Sequence, residues 1–407
     1  MKIVGLITEY NPFHNGHLYH IEEARRLTGA DSVIAVMSGN YVQRGAPAIL
    51  PKRLRASMAL HMGVSVVIEL PVAYAAGSAE YFAEGAVSIL DQLGCIDSIC
   101  FGSECGDIAL LEELAGLLAE EPDDYRNSLK EALHQGHAYP KARQMALVQC
   151  LGESSGQVLE KPNNILGIEY LKALYRRNSK IRAYTIARKD SKYHDTELTE
   201  CFSSATAIRK ELFYGSSCDV LTQIPPVCSD LMQESIQNRQ FICADDFSLL
   251  LKYALLQETP ETLCRYQDVS EDLANRIWNN RNYFQAFEQF CELLKTKELT
   301  YSRISRSLLH ILLRITKNDI VTFKKSGGCR YARILGFRNH STASLSYIKK
   351  HSSIPLLTKL KQCQELDEYA LHMLKQDIFA SDLYESVRTD RYQIPFCTEY
   401  QQQILRI

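Results

Sequence analysis

The sequence predicts an α/β fold: a parallel sheet with helices on both faces in the first half of the chain, and mainly helices in the second. Two patterns predict it. Short, apolar, β-branched runs alternate with longer helical stretches up to about residue 215, the order that buries a parallel sheet between helical layers. After residue 216 those runs fade, and a 3.6-residue apolar period takes over in "SRISRSLLHILLRI" and "LDEYALHMLKQD". At 407 residues the chain is long for one core, so a boundary near 215 is expected, with 1–215 and 216–407 as the two domains.

The elements follow in order. "KIVGLIT" reads as a first buried strand, and a helix begins near His17. "DSVIAVMS" is a second strand. "PKRLRASMALHMG" has proline at its first turn and glycine past its end, the punctuation of a helix. "VSVVIELP" is a third strand, and residues 78–93 form a helix closed by Gly94. "CIDSICFGS" is a fourth strand, followed by the helix "IALLEELAGLLAE" and a helical region over 122–150. "PNNILGIEYLKALYRR" opens a helix after its proline. "KIRAYTIAR" is a fifth strand, and a polar loop then leads into a helix at "SSATAIR".

Composition narrows the class. The chain is 46% hydrophobic and 23% charged, ordinary for a globular protein. The first apolar run is too short for a secretory signal, and no stretch approaches the roughly 20 apolar residues that cross a bilayer. The 13 cysteines include no Cys-x-x-Cys pair, so free thiols in a reducing cytoplasm are expected, with no metal site. Net charge is −2, but it is unevenly spread. Between Lys297 and Lys350 twelve Lys or Arg face only Glu298 and Asp319, a window of +10. Tyr301, Phe323, Tyr331, Phe337 and Tyr347 interleave with it. Cations with aromatics suit phosphates and unpaired bases. Lys297, Arg303, Arg306, Lys324, Lys325, Arg330 and Arg333 are therefore the candidate RNA contacts.

The chemistry points to the turn after the first strand, His14-Asn15-Gly16-His17. A strand that turns into a helix presents free backbone N–H groups and a positive dipole end, a ready anion site. Gly16 lets the chain approach a phosphate, and two imidazoles can donate where negative charge grows in a transition state. Asn11, Pro12 and Phe13 would shape the floor of that loop. In "SSATAIR", Ser204 and Thr206 precede or open a helix and Arg209 follows one turn in, an arrangement that can hold outer phosphates. Ser38, Gly39, Asn40 and Gln43, at a strand end, are expected to line the crevice. Arg44, Lys52, Arg53 and Arg55 read mostly as a solvated helix face.

These motifs resemble those of the HIGH-type nucleotidylyl transferases, which are built on a Rossmann-like parallel sheet. Longer blocks narrow the resemblance. "TEYNPFHNGH", "MSGNYVQRGAPAI", "FGSE", "KPNNILGIEYLKAL", "SSATAIR" and "TYSRISRSLLHILL" are together similar to the tRNA(Met) cytidine acetate ligase family, over most of the chain. The resemblance implies that ATP and acetate form acetyl-adenylate with release of pyrophosphate. The acetyl group then passes to N4 of the wobble cytidine of elongator tRNA(Met). It implies ATP contacts from the loop Ile7, Thr8, Glu9, Tyr10, Asn11, Pro12, Phe13, His14, Asn15, Gly16, His17, Leu18, Tyr19 and His20, and from Gly102, Asn163 or Asn164, and Arg188. His14 and His17 are the catalytic pair, and Mg²⁺ would accompany ATP. Two rival readings remain at this level: an adenylyltransferase acting on a small phosphorylated acceptor, and a non-catalytic tRNA-binding factor that keeps a nucleotide pocket.

Overall fold

The computed structural model describes residues 1–188, 204–214 and 218–407, without the side chains of residues 140, 154, 218 and 219. Ser203 and the polar loop before it lie outside the described residues. Five strands form a parallel core: β1 (Ile3–Thr8), β2 (Ser32–Ser38), β5 (Val66–Leu70), β6 (Ser98–Ser103) and β7 (Arg182–Ala187). The short hairpin β3 (Tyr41–Val42) and β4 (Ala46–Pro47) stands apart from the sheet. All five runs expected from the sequence are present.

Strand periodicity builds the two faces. Ile3, Ile34, Val36, Val66 and Ile68 enter one apolar cluster, while Val4, Leu6, Val33, Ala35 and Val67 enter the other. Successive side chains of a strand point to opposite faces, so both faces must be covered. Helices Ala79–Gln92, Ile108–Glu120 and Pro162–Arg176 pack on the first side, and Asn15–Thr28, Lys52–His61 and Pro226–Gln237 contribute to the second. Every residue of β2 and β5 is buried.

The second half is helical as expected, with one addition. β8 (Ala332–Phe337) pairs antiparallel with β5, and β9 (Leu356–Leu357) and β10 (Leu405–Arg406) pair parallel with β8. The order is β10-β8-β5-β2-β1-β6-β7. The run "ARILGF" escapes a sequence reading because Arg333 and Gly336 interrupt it.

Arg333 explains itself through distant partners. It is buried, with its guanidinium on Glu399 and its Nε 3.7 Å from Glu69 Oε2. Lys52 Nζ lies 2.6 Å from Glu69 Oε1 and 3.1 Å from Glu399 Oε1. Burial raises the cost of an isolated charge, so such groups persist only as a matched cluster. Lys52 and Arg55 are thus not on a solvated face. Arg55 is fully buried and donates to the carbonyl oxygens of Leu50, Glu9, Ser38 and Gly39. The cluster also absorbs Asn40, which accepts from Lys52 N–H and donates to Ser381 Oγ.

Candidate active site

Strand order reverses at β1, with β2 on one side and β6 on the other. In an open α/β sheet a crevice lies beyond the carboxyl ends of the strands at that point. Here it is a cavity of about 390 Å³, within the usual range for small-molecule sites. Thr8 and Glu9 lie at its floor, with Gly102 from β6 and Arg188 from the end of β7.

The helix after β1 begins at Asn15, two residues earlier than the sequence suggests, because His14 is its cap. Gly16 N–H donates to His14 Nδ1 at 3.1 Å, and His14 N–H donates to His17 Nδ1 at 3.2 Å. A ring nitrogen accepts only when it carries no proton, so each neutral imidazole keeps its proton on Nε2. The two rings lie 3.7 Å apart. Burial, helped by the charges of Arg188 and Arg209, pushes His14 down to about 3. Burial also holds His17 well below the ordinary value, with His14, His20 and Arg188 adding to the effect. His20 falls to about 4 through burial, partly offset by its bond to Cys100 O. At neutral pH the pair is therefore uncharged and donates through Nε2–H, while the cationic charge comes from the two arginines.

Ser204, Ala205, Thr206 and Arg209 also line the cavity. Ser204 Oγ accepts from Ala207 N–H at 3.1 Å and so caps the helix Ala205–Tyr214. Arg209 is aimed by two bonds, to Asn11 O at 2.8 Å and to Thr206 Oγ1 at 3.1 Å. Of the asparagine pair, Asn163 lines the cavity. Asn164 is buried and accepts from Glu104 and Cys105 N–H. Glu104 in turn accepts from both asparagine N–H groups at the start of that helix.

Of the expected ATP contacts, the cavity is lined by Ile7, Thr8, Glu9, Asn11, His14, Gly16, His17, Tyr19, His20, Gly102, Asn163, Arg188, Ser204, Thr206 and Arg209. Tyr10, Pro12, Phe13, Asn15, Leu18 and Asn164 lie outside it. Tyr10 and Phe13 are core residues with no exposure, and Tyr10 takes a left-handed backbone, φ 48°. Asn15 instead donates to Thr222 O. Of Ser38, Gly39, Asn40 and Gln43, at or just past the end of β2 and expected at the crevice, only Gln43 reaches it, and its N–H donates to Glu9 Oε1 at 2.8 Å. Ser38, Gly39 and Asn40 serve the buried charge cluster instead. Sequence reasoning missed an apolar wall of Phe82, Phe101, Leu166 and Tyr170, and a far rim of Cys243, Ala244 and Glu288. These residues come from separate elements, so no local pattern marks them.

The candidate RNA contacts separate into groups. Arg303 and Arg306 lie on helix Tyr301–Leu313, which holds the β3–β4 hairpin: Ser305 Oγ donates to Gly45 O at 2.9 Å, and a Cβ on Gly45, φ 77°, would sit 2.3 Å from Arg306 N. Arg306 pairs with Asp268 at 2.8 Å. Lys324 pairs with Glu84 and Arg330 with Asp367, while Lys297 and Lys325 are exposed. Arg333 is buried in its ion cluster and cannot reach RNA. Among the described residues no three His, Cys, Asp or Glu gather as a metal site, and no helix is long and apolar enough to cross a membrane.

Residues 1–395 match the family model described as HIGH Nucleotidyl Transferase. The chain is 44% identical over 392 residues to the tRNA(Met) cytidine acetate ligase of Acetivibrio thermocellus, covering 94% of each chain. It is 41% identical over 397 residues to the enzyme of that name from Alkaliphilus metalliredigens, again with 94% of each chain covered. In structure it is similar to Thermotoga maritima TmcAL, with TM-score 0.95 and 33% identity for the apo form, and 0.92 and 34% for the form bound with alpha-thio ATP. Both cover 100% of each chain.

Proposed function

The chain belongs to the HIGH nucleotidyl transferase family and, within it, to the tRNA(Met) cytidine acetate ligases; from that premise we propose that it activates acetate with ATP and acetylates a cytidine of tRNA. The observation that carries this reading is the pair of neutral imidazoles on the turn after β1, opening into a cavity shared with Arg188 and Arg209.

The acetate carboxylate attacks the α-phosphorus of ATP, a new C–O–P linkage forms, and pyrophosphate leaves. Acetyl-adenylate is the product of this half. The protein's contribution is position and charge. His14 and His17 donate Nε2–H to phosphate oxygens without the cost of a charged ring in a buried site. Arg188 and Arg209 neutralise the triphosphate, and Ser204 and Thr206 frame its outer end. Gly102 keeps room for the nucleoside: a Cβ there would come no nearer than 3.5 Å to any neighbour, Arg188 Cγ being the closest, so the protein's own packing does not demand glycine. Among the described residues the acids lining the cavity are Glu9 and Glu288, too few for an oxygen cage, so Mg²⁺ is proposed to arrive on the phosphates. Residues 1–215 supply the nucleotide site and 216–407 most of the tRNA surface, with Arg303 and Arg306 beside the hairpin that walls the cavity.

The test is pyrophosphate release from ATP across a series of short carboxylates, with and without bulk tRNA, followed by nucleoside analysis of the RNA. Acetate-dependent release and N4-acetylcytidine are expected. Release that needs no carboxylate, or RNA left unmodified, would overturn the proposal.

A further inference from the structure

Transfer of an acetyl group to cytosine needs something the triphosphate end does not supply, an acceptor for a proton on the exocyclic nitrogen. The amine of cytosine is conjugated with its ring and weakly basic. Attack on the acetyl carbonyl gives a tetrahedral centre with a positively charged nitrogen that must lose a proton before the amide is stable. His14 and His17 are already committed as donors through Nε2–H.

Among the described residues two carboxylates line the cavity. Glu9 sits at its floor and accepts from Gln43 N–H. Glu288 sits on the far rim, beside Cys243 and Ala244, and its carboxylate takes no hydrogen bond or ion pair among the described residues. It is also well positioned. It lies in the first turn of helix Phe287–Leu294, whose start is pinned twice to the 244–248 turn. Phe287 N–H donates to Ser248 Oγ at 2.9 Å, and Glu288 N–H donates to Asp245 Oδ1 at 2.8 Å.

Resting on the ligase reading, we propose that Glu288 recognises the cytosine amine at the rim of the cavity and receives its proton during acetyl transfer. A carboxylate accepts from the 4-amino group of cytosine, but faces the O4 of uracil lone pair to lone pair, so the same residue selects the base. The N4–acetyl bond forms, the acetyl–O bond of the mixed anhydride breaks, AMP leaves with the electron pair, and the N4 proton passes to Glu288. Burial, followed by the charge of Asp245, raises the Glu288 carboxyl above its ordinary value, toward the range where a carboxylate is a useful base. The other titratable groups around it are Glu292 and Cys291 on its own helix and Tyr301 on the next.

The experiment separates the two halves of the reaction in the full-length protein. Glu288→Gln is expected to release pyrophosphate with acetate within about twofold of the unaltered protein when no tRNA is present. Its single-turnover transfer to tRNA should fall by roughly 10²–10⁴, the usual contribution of a positioned base. Glu288→Asp should recover part of that rate and keep the acidic limb of the pH–transfer profile, which Glu288→Gln loses. An RNA hairpin with uridine in place of the target cytidine should compete at least tenfold better against Glu288→Gln than against the unaltered protein. Transfer by Glu288→Gln at the unaltered rate overturns the inference, and so does a parallel loss of pyrophosphate release. Absence of acetate-dependent release in the unaltered protein would instead take down the ligase reading itself.

Discussion

Replacing Gly102 by alanine separates nucleotide binding from folding. Gly102 is in β6, and a Cβ built on it meets Arg188 Cγ at 3.5 Å, Arg188 Cδ at 3.9 Å and Ile186 O at 3.9 Å. All are ordinary contacts, and the backbone is not left-handed. Alanine in a strand is favoured over glycine by about 0.5–1 kcal/mol, mostly through the unfolded chain. Stability should therefore hold or rise, moving the melting temperature up by no more than roughly 2–4 °C. The same methyl projects into a space proposed to be held open for nucleoside atoms. Overpacking of that size costs about 1–3 kcal/mol, a roughly 5- to 150-fold weaker Kd for ATP. Calorimetric titration with a non-hydrolysable ATP analogue, beside a thermal melt, reads both quantities. Gly116→Ala is the control, since a Cβ there meets nothing within 4 Å. Unchanged ATP affinity, or a melting temperature that falls with the affinity, would refute the reasoning.

The histidine cluster predicts acid sensitivity. Between pH 6.5 and about 4 the unfolded chain binds protons at His14, His17 and His20 that the folded protein refuses, so stability falls as pH falls, by at most about 1.4 kcal/mol per imidazole per unit. Asp377, held up to about 7 by burial and then by the charge of Glu69, works the other way with one proton. Melts from pH 7.5 to 4.5 should show the net loss, and His14→Gln with His17→Gln should flatten it; a flat profile in the unaltered protein refutes the account. The same double variant should lower acetate-dependent pyrophosphate release by at least 10²-fold, as loss of transition-state donors does, while tRNA still binds in a gel-shift assay. Arg333→Ala should destabilise by about 3–5 kcal/mol in chemical denaturation, because Glu69 and Glu399 lose a buried partner, whereas Lys325→Ala should leave the midpoint unchanged. Arg303→Ala should weaken tRNA binding and flatten its salt dependence by about one in the log–log slope, read from titrations at several salt concentrations, whereas Arg306→Ala, whose cation is taken by Asp268, should change that slope less.

What was legible in the sequence follows a physical line. Four of the parallel strands, β1, β2, β5 and β6, are almost wholly buried, so each is a short, largely apolar run that needs no outside information, while β7, at the sheet edge with Arg182 and Ala187 exposed, is legible from its β-branched and aromatic residues. The His14–His17 turn is local too, since its cap and its bonds lie within four residues. Glu288 and the Phe82–Tyr170 wall were illegible because their neighbours come from remote elements. β8 hid for the same reason: Arg333 looks like a strand breaker until Glu69 and Glu399 are placed against it. The +10 window misled in part because its acids lie outside it. Asp268, Asp367, Glu84 and Glu399 each take a cation from that stretch. A charge count along the chain measures composition, whereas an RNA surface requires cations left over after folding.

Because β8 is the neighbour of β5, the growing polypeptide cannot finish its sheet when the first 215 residues have emerged from the ribosome. One margin of β5 stays open, and Lys52 and Glu69 lack Glu399, until nearly the whole chain is made. An open margin of that kind invites sticking to other chains. A gene cut at residue 215 should therefore yield an insoluble fragment rather than a small ATP-binding protein, and any attempt to transplant this pocket would have to carry the tail along with it.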